Sequence, residues 1–547
     1  MNKYIGKLFL GALTVASLTA CSSDFLNTTP TQSTATATVF STTENVKLAV
    51  NGLAYLMKSQ HAAFTQGYCG ENAIRSIFSE YLSQEFRYNQ FAAGWEIIMD
   101  GKYYTAKTTK YAKYPWAYYY EIISNANSII AHVDEATGEE SDKLFYKAQA
   151  LTFRAYCYSK LMEIYTPRWQ DTNNGETKGI VLRLDESTGS MPLSTVKECW
   201  DQIYQDCKDA IADFEQSGED RASKERYLTN KNVAYAIYAR AALYRQDYQT
   251  ALEMAKKARE GYALMTNAEY TSGFNSYNSE WIFGTCDISE ENNWYWTFGT
   301  QFACNGEYAK KTKHGAGDIE KELTDKMPTN DVRMKNFLTI DKFNGLDLYN
   351  GTGTEEQQDG SVKDNIPHIN KTYGFMNSDE AFAAAKAYVS AHTPSGVSEA
   401  YQRGYYYINA QLKFYCLDSP GVMPLSLIRS SEMVLIEAEA NYFLGNTSAA
   451  QASLIELNKT SGRNPEYTCT KTGDDLFNEI KDYRELELWG EGFNWYDMKR
   501  WKLDIVRKSF ADGGNCHVAT AQRVSATAND WTWAIPETET NYNDQVK

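Results

Sequence analysis

The sequence predicts an all-α protein built on paired helices, and three observations support this fold class. Apolar residues recur at helical spacing from about Thr43 through much of the 547-residue chain. Alanines recur at the positions where two antiparallel helices must approach each other closely. Hydrophobic residues at 43% and charged residues at 23% are ordinary for a globular protein with a large core.

Four segments carry the helical pattern. Isoleucines and alanines share one face in residues 116–133, and alanines alternate with aromatic residues in residues 143–165. Residues 232–263 and 432–460 each contain two alanine-rich stretches separated by a turn, the second turn being at Gly445. The spacing of small residues in these last two segments resembles a tetratricopeptide repeat, so we expect a helical-repeat core.

The N-terminus predicts export. Lysines precede a weakly polar to apolar run over residues 8–20, which is too short for a bilayer span of about 20 residues. The cysteine that directly follows Leu-Thr-Ala resembles a bacterial lipoprotein box. That resemblance implies removal of residues 1–20 and lipidation of Cys21. The alternative is an ordinary secretory signal with a cysteine nearby by chance.

We expect the exported chain to form a single domain over residues 43–547. Gly, Asn, Asp and Thr are abundant from Tyr270 to about Tyr407 and favour turns and long loops, and residues 66–115 form a similar insert. From the N-terminus, the expected parts are a tether (21–42), a helical-repeat part (about 43–265), a loop-rich ligand-binding part (about 266–420) and a C-terminal helical part (about 421–547). Loops on a rigid scaffold commonly carry binding groups.

The composition and the motif search argue against several function classes. A formal net charge of −16, with no Lys/Arg-rich block, disfavours nucleic acid as a partner. The sequence has no HExxH or CxxC metal pattern, no GxSxG elbow and no phosphate-binding loop. We therefore predict no catalytic residues, no metal and no cofactor, and a protein that is not an enzyme.

The nine cysteines after Cys21 are too sparse for a disulfide scaffold. Because nine is odd, at least one of them is a free thiol or pairs between chains. We expect most of them to be small buried hydrophobic residues.

A charged block near the C-terminus has a regular spacing. Arg484, Glu487, Leu488 and Glu491 fall along one face of a helix that we expect Gly492 to end. Trp495, Asp497, Arg500 and Trp501 follow it. Paired Arg and Glu on one helix face more often stabilise a fold than touch a ligand, so we predict a structural role for this block.

The same block resembles the C-terminal block of the SusD/RagB family, the surface glycan-binding lipoproteins of Bacteroidetes. Other landmarks of that family follow in order along nearly the whole mature chain. They begin at Val39, Trp116, Arg154, Ser431 and Ile535. The resemblance implies a SusD-like helical fold built on tetratricopeptide-like pairs, anchored on the outer face of the outer membrane.

The resemblance also implies a function and a partner. Members of the family bind oligosaccharides, in some cases peptides, and pass them without cleavage to a SusC-like TonB-dependent transporter that they cap. Two alternatives stay open. The first alternative is an adaptor or peptide-binding component of the same kind of transporter, and the second is a surface glycosidase.

Two loop regions have the chemistry of a glycan site. A sugar ring has apolar faces and a polar rim, which suits Trp and Tyr beside amides and carboxylates. The candidate residues are Trp95, Asp100, Tyr103 and Tyr104 in the first insert and Asn292, Asn293, Trp294 and Trp296 in the second. Ligand aromatics of the SusD family come from these two regions, so the assignment is regional. Core packing is the alternative, and we favour it for Trp281.

Overall fold

The computed structural model describes most of the chain, and its helices and strands are numbered here in chain order. The described residues are 36–64, 67–87, 96–99, 105–286, 297–306, 317–343, 345–348, 354–356, 362–364, 378–397, 406–417, 421–516, 520–528 and 531–546.

Most of the secondary structure is helical. The α-helices are α1 (Thr36–Val39), α2 (Thr43–Leu56), α3 (Gly70–Phe78), α4 (Glu96–Met99), α5 (Lys110–His132), α6 (Glu140–Tyr165), α7 (Val196–Ser217), α8 (Lys231–Tyr244), α9 (Tyr248–Ala258), α10 (Asn267–Tyr270), α11 (Phe298–Phe302), α12 (Lys321–Thr324), α13 (Asp379–His392), α14 (Ser430–Phe443), α15 (Thr447–Ile455), α16 (Gly473–Leu488), α17 (Asn494–Trp501) and α18 (Glu537–Tyr542). A π-helical turn, Glu456–Thr460, extends α15. Short 3-10 turns occupy Glu80–Leu82, Val133–Glu135, Trp169–Asp171, Val332–Asn336, Ile340–Phe343 and Phe510–Asp512.

The strands are two to four residues long and form antiparallel pairs. They are β1 (Phe86–Arg87) with β3 (Asp318–Ile319), β2 (Trp281–Gly284) with β6 (Ser426–Arg429), β4 (Thr354–Glu356) with β5 (Val362–Asp364), and β7 (Ile505–Val506) with β8 (Arg523–Val524). The all-α fold class is therefore confirmed.

The helices form a stack in which each packs on the next. The order of packing is α5, α6, α7, α8, α9, α14 and α15. The helix pairs predicted in residues 232–263 and 432–460 are present, and they lie side by side although about 170 residues separate α9 from α14. The loop-rich part thus leaves the stack after α9 and returns to it at α14, where β2 pairs with β6.

Helix α5 begins earlier than the sequence analysis placed it. It starts at Lys110, where the Thr109 side chain accepts from the Ala112 backbone N–H, so Pro115 lies inside the helix. Proline removes a backbone donor and disturbs the ladder around it. The Tyr165 hydroxyl bridges this gap, since it donates to the Ala112 carbonyl (2.7 Å) and accepts from the Trp116 N–H (3.0 Å).

The two loop-rich regions contain helices that their composition does not predict. All residues of α3 in the first insert are buried, and α13 buries Ala381, Ala385 and Val389 in the second. The expected tether also contains the short helix α1. The ring of Phe40, which follows α1, stacks on the ring of His132 at the end of α5. The domain boundaries given above stay predictions.

The nine cysteines after Cys21 are all buried, as expected of small hydrophobic residues of the core. Trp281 is fully buried in β2, as predicted. No helix within the described ranges is both long and apolar enough to cross a membrane.

Candidate functional site

The predicted glycan-binding residues all fall outside the described residues, as does Cys21. They are Trp95, Asp100, Tyr103, Tyr104, Asn292, Asn293, Trp294 and Trp296. The described residues on either side of them show where the two candidate segments, 88–104 and 287–296, leave the fold and where they rejoin it.

The first segment leaves the fold at β1. Arg87 is fully buried and its guanidinium pairs with Glu320 at 3.1 Å, while Phe86 pairs in register with Ile319. Within this segment, Ile98 and Met99 of α4 are buried, and the Met99 carbonyl accepts from the Arg507 guanidinium at 2.7 Å. The chain on both sides of the predicted residue Trp95 is therefore fixed to the core.

The second segment leaves and rejoins the fold beside one stretch of chain, residues 421–425. Before the segment, the Thr285 backbone N–H donates to the Leu425 carbonyl at 2.9 Å. After it, the Thr297 side chain caps α11 by accepting from the Thr300 N–H. Gly299 lies so close to Gly421 that an added Cβ would be 2.1 Å from its carbonyl oxygen. Only glycine fits this approach.

The chain that leads into the first segment lies against the chain that follows the second segment. The Tyr81 hydroxyl donates to Gln301 Oε1 at 2.7 Å, and the Phe298 backbone N–H donates to Asn72 Oδ1 at 3.1 Å. The rings of Phe86 and Phe302 pack with their centroids 5.0 Å apart. We call this buried surface, formed by residues 70–87 and 297–306, the platform. It holds the ends of both candidate segments next to each other.

Glycines bring a further stretch of chain to the platform. Gly317 has a φ of +89°, and a Cβ on it would lie 2.0 Å from the Phe86 ring. The strand that follows it, β3, pairs with β1. No sequence pattern predicts the platform, because its residues come from separate parts of the chain and share no motif.

A buried ion cluster lies where the loop-rich part meets the C-terminal helices. Arg429 pairs with Glu280 (2.6 Å), Glu487 (2.7 Å) and Glu491 (2.9 Å). Lys413 also pairs with Glu491, at 2.7 Å. Each of these side chains is almost fully buried, so the charges stabilise one another without help from water.

The cations of the cluster keep its carboxylates ionised. Burial by itself would raise the pKa of Glu487, but Arg429, Arg463 and Arg333 together hold that pKa well below its ordinary value. The pKa of Glu491 is likewise lowered, against the effect of burial, by Arg429 and Lys413. The structural role predicted for the charged block agrees with this burial.

Helix α16 ends at Leu488 rather than at Gly492, so the predicted end of this helix is wrong. The Gly490 backbone, at a φ of +73°, turns the chain so that its N–H donates to Glu85 Oε1 at 3.1 Å. The Gly492 N–H donates to Glu80 Oε1 at 2.6 Å. Glu85 and Glu80 of the first insert thus accept hydrogen bonds from the turn that follows α16. Glu491 lies in this turn, beyond the end of the helix, and pairs there with Arg429.

Trp489 links the ion cluster to the platform. Its indole N–H donates to the Glu85 carbonyl at 3.0 Å, and its ring stacks on Phe86 with a centroid separation of 5.9 Å.

Across the described ranges, no group of three or more His, Cys, Asp or Glu side chains is arranged to hold a metal ion.

Sequence models of two known families match the chain. One is described as the SusD family and matches residues 251–547. The other is described as starch-binding associating with outer membrane and matches residues 24–243. No curated protein matches the sequence.

Solved structures from three Bacteroides species share the fold. A SusD-like carbohydrate binding protein from Bacteroides vulgatus is 20% identical, with a TM-score of 0.70, 93% of this chain covered and 98% of that one. A SusD superfamily protein from Bacteroides thetaiotaomicron is 18% identical, with a TM-score of 0.65 and coverages of 92% and 99%. A SusD-like carbohydrate binding protein from Bacteroides fragilis is 15% identical, with a TM-score of 0.65 and coverages of 93% and 100%. The predicted SusD-like fold is confirmed.

The Glu80 contact predicts a pH dependence of stability. Burial raises the pKa of Glu80 to about 7 from 4.5, although Arg75 and the Gly492 N–H favour the charged form. Between these pH values the folded protein holds a proton that the unfolded chain releases, so stability is lost as pH rises from about 4.5 to about 7. Glu80→Gln removes this dependence.

Urea denaturation of the wild type and Glu80→Gln at several pH values measures the effect. The free energy of unfolding of the variant, relative to the wild type, rises as the pH increases across this range. A difference that is the same at both ends of the range contradicts the assignment.

Proposed function

Because this chain belongs to the SusD family, we propose that it captures oligosaccharides at the cell surface and delivers them, uncleaved, to a SusC-like TonB-dependent transporter. The family descriptions of starch binding and outer-membrane association support the ligand class and the location. Two of the structurally similar proteins are described as carbohydrate binding proteins, which supports the same ligand class.

The observation that carries the ligand proposal is the shared platform beneath segments 88–104 and 287–296. Both segments contain tryptophan beside amide or carboxylate side chains. The chain before the first segment is joined to the chain after the second by the Tyr81–Gln301 and Asn72–Phe298 hydrogen bonds. Aromatic faces with a few oriented polar groups are the chemistry that recognises a sugar ring.

The proposed anchor is the lipid on Cys21. The fourteen residues between Cys21 and α1 span at most about 50 Å when fully extended, at about 3.3–3.6 Å per residue. This length lets the folded domain stay close to the membrane and to a transporter beside it. Two acyl chains or more are needed for stable anchoring, since a single chain binds only marginally.

Alanine substitution of the predicted aromatics tests the glycan site. Trp294→Ala and Trp95→Ala are expected to weaken oligosaccharide binding by about tenfold or more, because truncating an aromatic anchor commonly costs more than about 1.4 kcal/mol. Calorimetry with malto-oligosaccharides and a panel of other soluble oligosaccharides measures the affinity. The matched control is Tyr542→Ala, whose ring is 85% exposed near the C-terminus.

Three results contradict the glycan-capture proposal. Binding of peptides with no saccharide binding favours the peptide-binding alternative. Transporter association with neither ligand favours the adaptor. Product formation from a glycan at high protein concentration favours the glycosidase.

Cys21→Ala tests the anchor. Palmitate labelling of cells that express the wild type is expected to mark this protein, and the label is lost in Cys21→Ala because Cys21 is the cysteine that directly follows Leu-Thr-Ala in the lipoprotein box. Cys469→Ala, which changes a buried cysteine, keeps the label. The purified Cys21→Ala protein retains its ligand affinity. Labelling that persists in Cys21→Ala refutes the proposed anchor.

A further inference from the structure

A cavity of about 570 Å³ lies outside the candidate glycan segments and carries an excess of positive charge. It is lined by Pro167, Arg168, Asp171, Lys499, Lys502, Thr527, Ala528, Trp531 and Thr532. These residues come from the turn that follows α6, from the end of α17 and from the chain after β8. A cavity of this volume accommodates a ligand of sugar size.

Lys499 is the most deeply buried charge of the cavity wall. Its residue is 3% exposed, and its ammonium group donates to the Glu163 and Thr166 carbonyls, both at 2.7 Å. An ammonium group has three N–H donors. The hydrogen bonds formed within the described ranges account for two of these donors, and both acceptors are neutral.

Arg168 places a second buried cation beside Lys499. Its guanidinium donates to the Lys499 carbonyl at 2.9 Å and to the Ala526 carbonyl, and it pairs with Asp171. Asp171 also pairs with the half-exposed Lys502 at 2.9 Å, so one carboxylate serves two cations.

Among the described residues, the charges around the cavity do not balance. Next to Lys499, the Glu163 carboxylate is paired with Lys160, and the wall itself holds Arg168, Lys499 and Lys502 against Asp171. These four cations and two carboxylates leave two positive charges. A buried cation without a counter-charge is costly, and an anion placed in the cavity offsets that cost.

The Lys499 ammonium group responds to this imbalance. Burial, and next the charge of Arg168, lower the pKa of Lys499 to about 7, and Glu163 opposes the shift. Asp171 and Lys502 are the other charged groups among the described residues of the cavity wall. An anion that binds here restores the charged form of Lys499, so binding takes up a proton when the pH is above about 7.

We propose that this cavity binds a small oxyanion, a carboxylate, sulfate or phosphate group, through Lys499, Arg168 and Lys502. The group belongs either to an acidic monosaccharide or to a free inorganic anion. The hydroxyls of Thr527 and Thr532 line the same cavity and suit the remaining polar atoms of a sugar.

Calorimetry of the mature full-length protein with four probes tests the proposal. The probes are glucuronate, its neutral counterpart glucose, sulfate and phosphate. Glucuronate or the inorganic anions are expected to bind and glucose is not. Titrations at pH 8 in buffers of different ionisation enthalpy are expected to show proton uptake on binding. Tighter binding of glucuronate than of sulfate or phosphate identifies the acidic sugar as the source, and the reverse identifies the inorganic anion.

Three lysine substitutions locate the site. Lys499→Met is expected to weaken anion binding at least about tenfold and to abolish the proton uptake, since a charge-assisted hydrogen bond is lost. Lys502→Met weakens binding without removing the uptake, and it decides the matter if Lys499→Met fails to fold. Lys471→Met is the matched control, because it removes one charge from a half-exposed lysine paired with Glu479 elsewhere on the surface.

Several results overturn the proposal. They are equal binding of glucuronate and glucose, the absence of binding by every anion, and equal effects of Lys502→Met and Lys471→Met. A further result concerns Asp530, which stands between the lining residues Ala528 and Trp531 in sequence and lies outside the described residues. If anions bind only to Asp530→Asn, the counter-charge is the chain's own carboxylate. Anion binding that persists in Trp294→Ala separates this site from the glycan site.

Discussion

The buried ion cluster around Arg429 is the interaction on which the rest of the structure depends. A guanidinium group that leaves water costs several kcal/mol unless carboxylates surround it, so its partners must keep their relative positions. Arg429 lies in β6, Glu280 precedes β2, and Glu487 and Glu491 stand at and beyond the end of α16. The cluster joins the base of the loop-rich part to the C-terminal helices at one point.

The constraint extends from the cluster to the platform through the chain between Trp489 and Gly492. Trp489 packs on Phe86, while Gly490 and Gly492 donate to Glu85 and Glu80. One short C-terminal segment therefore holds both loop-rich inserts. The helical stack and the platform together supply the scaffold from which the two candidate segments leave, and loops on a rigid scaffold commonly carry binding groups.

The sequence predicts the helical stack well and the long-range contacts poorly. Periodicity and small residues locate the helix pairs because those signals lie within about 30 residues. Helix α3 escapes prediction although its apolar residues recur at helical spacing, because the pattern is only nine residues long and lies within a loop-rich insert. The position of Pro115 within α5 depends on Tyr165, about 50 residues away, and no local pattern contains that information. In the ion cluster, Arg429 and its partner Glu280 are 149 positions apart.

For the candidate site as well, local sequence predicts some features and long-range contacts determine the others. Residue chemistry alone identifies the two aromatic segments, whereas their common platform requires Tyr81 and Gln301, 220 residues apart, to meet. The basic cavity is likewise invisible to sequence patterns, because Arg168 and Lys499 are ordinary surface residue types whose burial follows from the fold. Local sequence therefore carries the chemistry of this protein, and the tertiary contacts decide which residues act together.

The most direct measurement of the central claim is a structure of the protein bound to a neutral oligosaccharide selected by calorimetry. The account predicts that the sugar lies over the platform and touches aromatic side chains of both segments, 88–104 and 287–296. A sugar seated elsewhere, for example in the cavity of about 510 Å³ lined by Tyr467 and Tyr483, would contradict it.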